Sequence, residues 1–218
     1  MWRKRQIGEM MIEMIEQRSD AWFEARIGKV TASKVADVIA KTQSGYAASR
    51  ANYMAQLVCE RLTGQREEFF ISGAMQHGTD TEPLARAAYE SLKDVLVDEV
   101  GFVPHPTIEM AGASPDGLVG DDGLLEIKCP NTATHIDTLL TQTVPSKYNT
   151  QMQFQMACTG RLWCDFVSFD NRLPEELQLF VKRVPRDDVF IKQTEDAIVK
   201  FLAELDDKIN KLMKVKNV

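Results

Sequence analysis

The stretch that most constrains the fold runs from Ser114 to Lys128: Ser-Pro-Asp-Gly-Leu-Val-Gly-Asp-Asp-Gly-Leu-Leu-Glu-Ile-Lys. It predicts two short strands around a tight turn. Residues two apart on a strand share a face, so Glu126 and Lys128 point one way while Leu125 and Ile127 face the core. A hairpin loop Asp121-Asp122-Gly123, with Gly123 left-handed, sets Gly120 opposite Leu124. Counting back, Asp116 opposes Lys128, and Glu126 is its diagonal neighbour. One face then gathers two carboxylates and an ammonium. Mg²⁺ favours carboxylate oxygens and keeps waters that phosphate chemistry uses. The ammonium can hold or deprotonate an attacking water. A solvated surface hairpin carries the same short Asp…Glu-x-Lys pattern, so spacing alone leaves both readings open.

Around this hairpin the period of the apolar residues predicts a mixed order of elements. Residues 1–16, rich in methionine, form an arm or a helix. A helix led by Asp20 ends at Gly28. Thr31 or Ser33 caps the next, to about Lys41. Helices follow over Ser49–Leu62 and Glu82–Lys93, with Pro83 in a tolerated first turn and Glu82 at the helix start. The period then becomes strand-like over Val95–Val103 and Thr107–Met110. After the hairpin come a helix over Thr132–Leu140 and one capped by Ser146 that runs from about Lys147 to Gly160. Strands over Leu162–Phe169 and Leu177–Val184 precede a long C-terminal helix within 187–218. Helices on both sides of a mixed sheet make an α/β (α+β) fold. No repeat or linker divides residues 1–218, which are expected to form a single domain.

At 218 residues and 44% apolar the chain can bury a sizeable core. No apolar run reaches membrane-spanning length. The basic start runs into glutamates, unlike a signal peptide, so a soluble cytoplasmic protein is expected. The net charge of −6 argues mildly against nucleic acid as a partner. Local basic clusters at 3–5, 29–41, 182–186 and 208–216 soften that, because screening confines each field to about 10 Å. Cys59, Cys129, Cys158 and Cys164 do not have cluster-binding spacings and are expected to be buried, reduced thiols.

Asp116…Glu126-Ile127-Lys128 on a hairpin followed by a helix resembles the core of the PD-(D/E)xK, restriction-endonuclease-like nucleases. Further matches run in order along residues 17–205. They are Trp22…Arg26-Ile27-Gly28…Thr31-Ala32-Ser33, Gly78…Glu82, Ser114-Pro115-Asp116-Gly117, Glu126-Ile127-Lys128-Cys129-Pro130 and Gln151-Met152-Gln153. Together these resemble the lambda-type phage exonucleases, the YqaJ viral recombinase family. The resemblance implies a restriction-endonuclease-like core with a central mixed β-sheet flanked by helices. It implies a Mg²⁺-dependent (alternatively Mn²⁺-dependent) processive 5′→3′ exonuclease on linear double-stranded DNA. Such an enzyme releases mononucleotides and leaves a 3′ single strand for recombination by annealing. It also implies a homotrimeric ring, a single-strand-annealing protein as partner, and the cytoplasm of a bacterium carrying a phage or prophage. By position, Asp116, Glu126, the Ile127 main-chain carbonyl and Glu82 would hold metal. Lys128 and Gln153 would position or activate water. Arg26, Thr31, Ser33 and Ser114 would grip the terminal 5′-phosphate. The family's basic residue after the second helix is Gln43 here, which leaves Lys41 or Arg50 to substitute. An endonuclease with the same core, or a non-catalytic DNA-end-binding protein, are the competing readings.

Overall fold

The computed structural model describes residues 4–7, 10–13, 15–66 and 72–215. Strands β1 (Lys4–Ile7) and β2 (Met10–Glu13) pair antiparallel. Where it is described, the N-terminal arm is therefore a hairpin and not a helix. Helix α1 (Asp20–Glu24) is capped by Ser19, whose Oγ accepts from the Trp22 N–H. It stops short of Gly28.

Strand β3 (Val30–Thr31) runs into a single 3₁₀ turn, Ala32–Lys34, and then α2 (Val35–Ile39). Neither Thr31 nor Ser33 caps α2, contrary to expectation. Thr31 is held extended by strand pairing and makes no side-chain cap bond. A small ladder of β4 (Lys41–Thr42) and β5 (Gly45–Tyr46) follows, then α3 (Ala48–Thr63), closed by left-handed Gly64. Helix α4 (Gly73–Lys93) begins at a Ser72 cap, well before the expected start. Pro83 thus lies inside the helix and Glu82 in its middle. The proline forfeits one backbone bond, while Ala85 and Tyr89 of the same helix are buried against the sheet.

Strands β6 (Val97–Asp98), β7 (Val103–Pro104), β8 (Ala111–Ala113), β9 (Gly117–Val119) and β10 (Gly123–Lys128) come next. Thr107–Met110 is a turn, not a strand, because His105 Nδ1 accepts the N–H groups of Thr107 (3.3 Å) and Ile108 (3.1 Å). Helices α5 (Thr132–Thr141) and α6 (Ser146–Thr159) lead to β11 (Trp163–Phe169), β12 (Leu179–Pro185) and α7 (Asp188–Val215). Asn131 caps α5; Pro145, not Ser146, stands at the α6 N-cap.

The central sheet has the order β12-β11-β10-β9-β6. Only β10 and β11 are parallel within it, and α5 with α6 forms their crossover. One sheet face buries Leu124, Phe166 and Phe180 against α6 and α7, including Met152, Ile198 and Phe201. The other buries Leu125, Ile127 and Val167 against Ala85 and Tyr89 of α4. Strand β10 is buried on both sides, which puts Glu126 in an apolar layer. A second sheet, β3-β8-β7, aligns Thr31 with Gly112 in parallel, two residues before Ser114.

The hairpin loop lies one residue earlier than its sequence suggests. Val119 pairs with Gly123, and the left-handed glycine is Gly120 (φ 54°). Gly123 is instead required by the Trp163 ring, which a Cβ there would strike. Moving the loop by one shifts each partner by two, so the faces survive while Asp116 comes level with Glu126 rather than Lys128. All four cysteines are free. Cys158 and Cys164 are buried as expected, with burial pushing both thiols up; Cys129 is half-buried and Cys59 exposed. Among the described residues no helix is long and apolar enough to cross a membrane.

Candidate active site

Glu126 is 0% exposed, and a carboxylate in that layer must be satisfied locally. Helix α6 supplies the partners. Gln151 Nε2 donates to Glu126 Oε1 (2.7 Å) and Gln155 Nε2 donates to Oε2 (2.6 Å). Four residues apart, the two glutamines share one helix face. Lys128, on the same strand face, forms an ion pair with Glu126 Oε1. Asp116 leaves β9's approach so that its Oδ2 accepts the Ile127 N–H (2.6 Å). The two carboxyl groups therefore share one neighbourhood, as the hairpin predicts.

The electrostatics follow from this crowding. Burial first, then repulsion from Glu126 and from Glu82, raises Asp116 to about 8, against the pull of Lys128 and the Ile127 N–H. Burial pulls Lys128 down, but Glu126 and Asp116 outweigh it and hold the group above the usual lysine range. Glu82 lies across the cleft on α4. Its Oε2 accepts from Arg18 Nη2 (2.7 Å) and its Oε1 from Arg86 Nη2 (3.2 Å). Arg86 also pairs with Glu99 and reaches the Asp116 carbonyl. Among the described residues no three His, Cys, Asp or Glu side chains are assembled as a ready metal cage. The donor set still fits a hard cation: all-oxygen ligands, and an Asp116 whose ionisation is opposed by neighbouring carboxylates until a cation relieves it. A cleft of about 550 Å³, lined by Arg18, Gly78, Glu82, Ile127, Lys128 and Tyr148, opens onto this group.

Ser114 ties the acid pair to a second site. Its Oγ accepts from Arg26 Nη1 (2.9 Å) and from Trp22 Nε1 (2.9 Å), and the guanidinium lies 4.0 Å from the centre of the Trp22 ring. Among the described residues no carboxylate stands within ion-pair distance of Arg26. Burial lowers it to about 10, against the pull of Tyr53 and Glu60. Thr31 and Ser33, whose hydroxyls lie 3.5 Å apart, line the same cavity of about 200 Å³ as Arg26. A half-buried, stacked guanidinium with hydroxyls beside it suits an anion.

The structure thus brings Asp116, Glu126 and Lys128 together beside the cleft that Glu82, Ile127 and Lys128 line, and sets Arg26, Thr31 and Ser33 around a second cavity, with Ser114 bonded to Arg26. Gln153 does not join them. Its Nε2 donates to the Pro185 carbonyl (2.8 Å) and its Oε1 accepts the Asp187 N–H (2.8 Å). It stands two residues from Gln151 and two from Gln155, on the far side of α6. Gln151 and Gln155 are the glutamines at the site; their four-residue spacing is the signal that identifies them. Arg86 has the same four-residue spacing from Glu82 along α4, whereas Arg18 carried no such signal, since only the tertiary fold brings it to Glu82.

Known proteins resemble the chain in sequence and in fold. A model of the YqaJ-like viral recombinase domain matches residues 21–162. None of the curated proteins compared with the chain matches it. An alkaline exonuclease (LHK-Exo) from Laribacter hongkongensis is similar at 55% identity over 91% of this chain and 98% of that one, with a TM-score of 0.86. Its complex with dAMP gives the same identity and coverage at a TM-score of 0.87. A phage-related exonuclease from Haemophilus somnus 129PT shares the fold at 15% identity, with a TM-score of 0.69 over 84% of this chain and 96% of that one. The sheet and its helices are those of the restriction-endonuclease-like core. On its sequence match and on its 55% identical structural relative, the chain belongs to the YqaJ-like viral recombinase family, whose members resemble lambda exonuclease.

Proposed function

We propose that the chain is a metal-dependent DNA exonuclease that degrades one strand of linear duplex DNA in the 5′→3′ direction and leaves a 3′ single strand. The observation that carries this reading is the meeting of Asp116, Glu126 and Lys128 with the half-buried Arg26, joined through Ser114. The similarity to an alkaline exonuclease that binds dAMP supports a nucleotide-sized product.

In this reading Asp116, Glu126 and the Ile127 carbonyl hold Mg²⁺, or Mn²⁺ in its place, and Glu82 adds a further acidic contact. Such cations relieve charge on a phosphodiester and acidify an attacking water. Gln151 and Gln155 fix the Glu126 carboxylate so that its oxygens keep one orientation. Lys128, held as an ammonium by its carboxylate neighbours, donates a hydrogen bond to the water or the phosphate. Arg26 and Ser114, with Thr31 and Ser33, hold the terminal 5′-phosphate and so set the distance to the bond that breaks. Three copies closing into a ring would keep the enzyme on its duplex and confine positive charge to the inner wall. The freed strand would pass to a single-strand-annealing protein in a phage-carrying bacterial cytoplasm.

A Mg²⁺ titration with 5′-phosphorylated linear duplex, run on the wild type and on Asp116→Ala, tests the reading. The wild type releases mononucleotides only with Mg²⁺ and stops on chelation, whereas the variant binds DNA without cutting. Binding without hydrolysis by the wild type at every Mg²⁺ concentration would make the protein an end-binding factor instead.

A further inference from the structure

The segment between Ile15 and Gly28 delivers a second guanidinium, from Arg18, to the cleft. Arg18 has φ 69°, in the left-handed region that an arginine seldom occupies. Strain of this kind persists only where the surroundings impose it. Here Gln17 imposes it. Its Nε2 donates to the carbonyls of Val100 (2.7 Å) and Pro115 (2.8 Å), pinning the chain to the corner that carries Asp116. Glycine would sit there without strain, so the arginine side chain has to account for itself.

That side chain spans to Glu82, lines the cleft with Ile127, Lys128 and Tyr148, and remains 50% exposed. Glu82 is also held by Arg86, which Glu99 and the Asp116 carbonyl anchor in turn. Glu82 therefore keeps a cationic partner when Arg18 turns away. Arg18, half-exposed and not needed to hold Glu82, can exchange partners, and its planar fork matches phosphate oxygens.

Building on the nuclease reading, we propose that Arg18 grips a backbone phosphate of the strand lying in the cleft, distinct from the terminal phosphate at Arg26. Arg26 then reads the strand's end and Arg18 the strand behind it. One segment pinned to the Asp116 corner sets the spacing of both.

The test compares wild type, Arg18→Gly and Arg18→Lys on linear duplexes bearing a 5′-phosphate or a 5′-hydroxyl. Binding is read across a salt series with Ca²⁺ in place of Mg²⁺, and turnover with Mg²⁺. Arg18→Gly should melt no lower than wild type by more than a few degrees, since glycine relieves the backbone. Its KM should rise about tenfold or more on both ends alike, and its log K against log salt slope should flatten by about one contact's worth, roughly 0.9. Arg18→Lys should recover the slope and only part of the KM. An unchanged KM and slope in Arg18→Gly overturns the proposal. So does a shifted Mg²⁺ requirement with DNA binding intact, because Arg18 then acts only through Glu82. A wild type that cuts neither duplex sinks the nuclease reading itself, a result distinct from both.

Discussion

At the scale of single residues, the site is a concentration of negative charge held together by few donors. Asp116 is raised to about 8 by burial and by Glu126 and Glu82, so its charge costs the metal-free protein stability. Asp116→Asn should therefore raise the metal-free Tm at pH 8 by about 3–6 °C, taking even one unit of relieved shift as ~1.4 kcal/mol. Differential scanning fluorimetry checks this, and the same scan should show Mg²⁺ raising the wild-type Tm but not the variant's. Arg26→Ala should cut the preference for 5′-phosphate over 5′-hydroxyl ends about ten- to a hundredfold, the worth of a charged hydrogen bond. Equal loss on both ends would move Arg26 from recognition to folding. Asp116, Glu126 and Lys128 were legible because a strand's two-residue period is local, whereas the Arg26 cluster, whose members Arg26 and Ser114 lie 88 positions apart, was legible only through the family resemblance. Arg18 was not, because it lies in a turn and its partner stands 64 positions away on α4.

At the scale of elements, helix α6 divides its glutamines by face. Gln151 and Gln155 point to the sheet and hold Glu126; Gln153 points away and closes the β12–α7 corner. Sequence placed all three on one helix but could not orient it, because Gln153 and Phe154 are buried along with the apolar Met152 and Met156. Gln151→Ala or Gln155→Ala should lower metal affinity or turnover about 10–100-fold, and should also lower the Tm by leaving a buried Glu126 oxygen without its donor. Gln153→Ala should keep turnover and cost only stability, ~1–3 kcal/mol for the partners it leaves unpaired. Paired melting and kinetic runs separate the two faces. The turn after β11 predicts a pH effect. Burial of Asp170 opposes its ionisation, but the Arg172 side chain (2.6 Å) and N–H (3.0 Å) prevail and lower it to about 2. Its ionised form therefore stabilises the fold above pH about 4, and this contribution fades as pH falls towards 2. The Tm gap between wild type and Asp170→Asn should close over that window.

At the scale of the whole molecule, the sheet order brings distant pieces to one corner. The parallel β10–β11 pair sets Glu126 under α6, and the β3–β8 pair sets Thr31 beside the strand that leads to Ser114. The alternation of helical and strand periods announced a mixed sheet between helices. It did not reveal the N-terminal hairpin or the early start of α4, where glycine, proline and cap signals compete with the apolar stripe. A ring of three would make light scattering return three times the chain mass, and a monomer would remove the geometric basis for processive digestion. The central claim is that an acid pair beside an ammonium cuts DNA inward from an open 5′ end. The most direct measurement is digestion of linear duplex labelled at the 5′ or the 3′ terminus, beside a covalently closed circle, with Mg²⁺ present. The account predicts early release of the 5′ label as mononucleotide, late release of the 3′ label and an intact circle. Early loss of the 3′ label, or cutting of the circle, would contradict it.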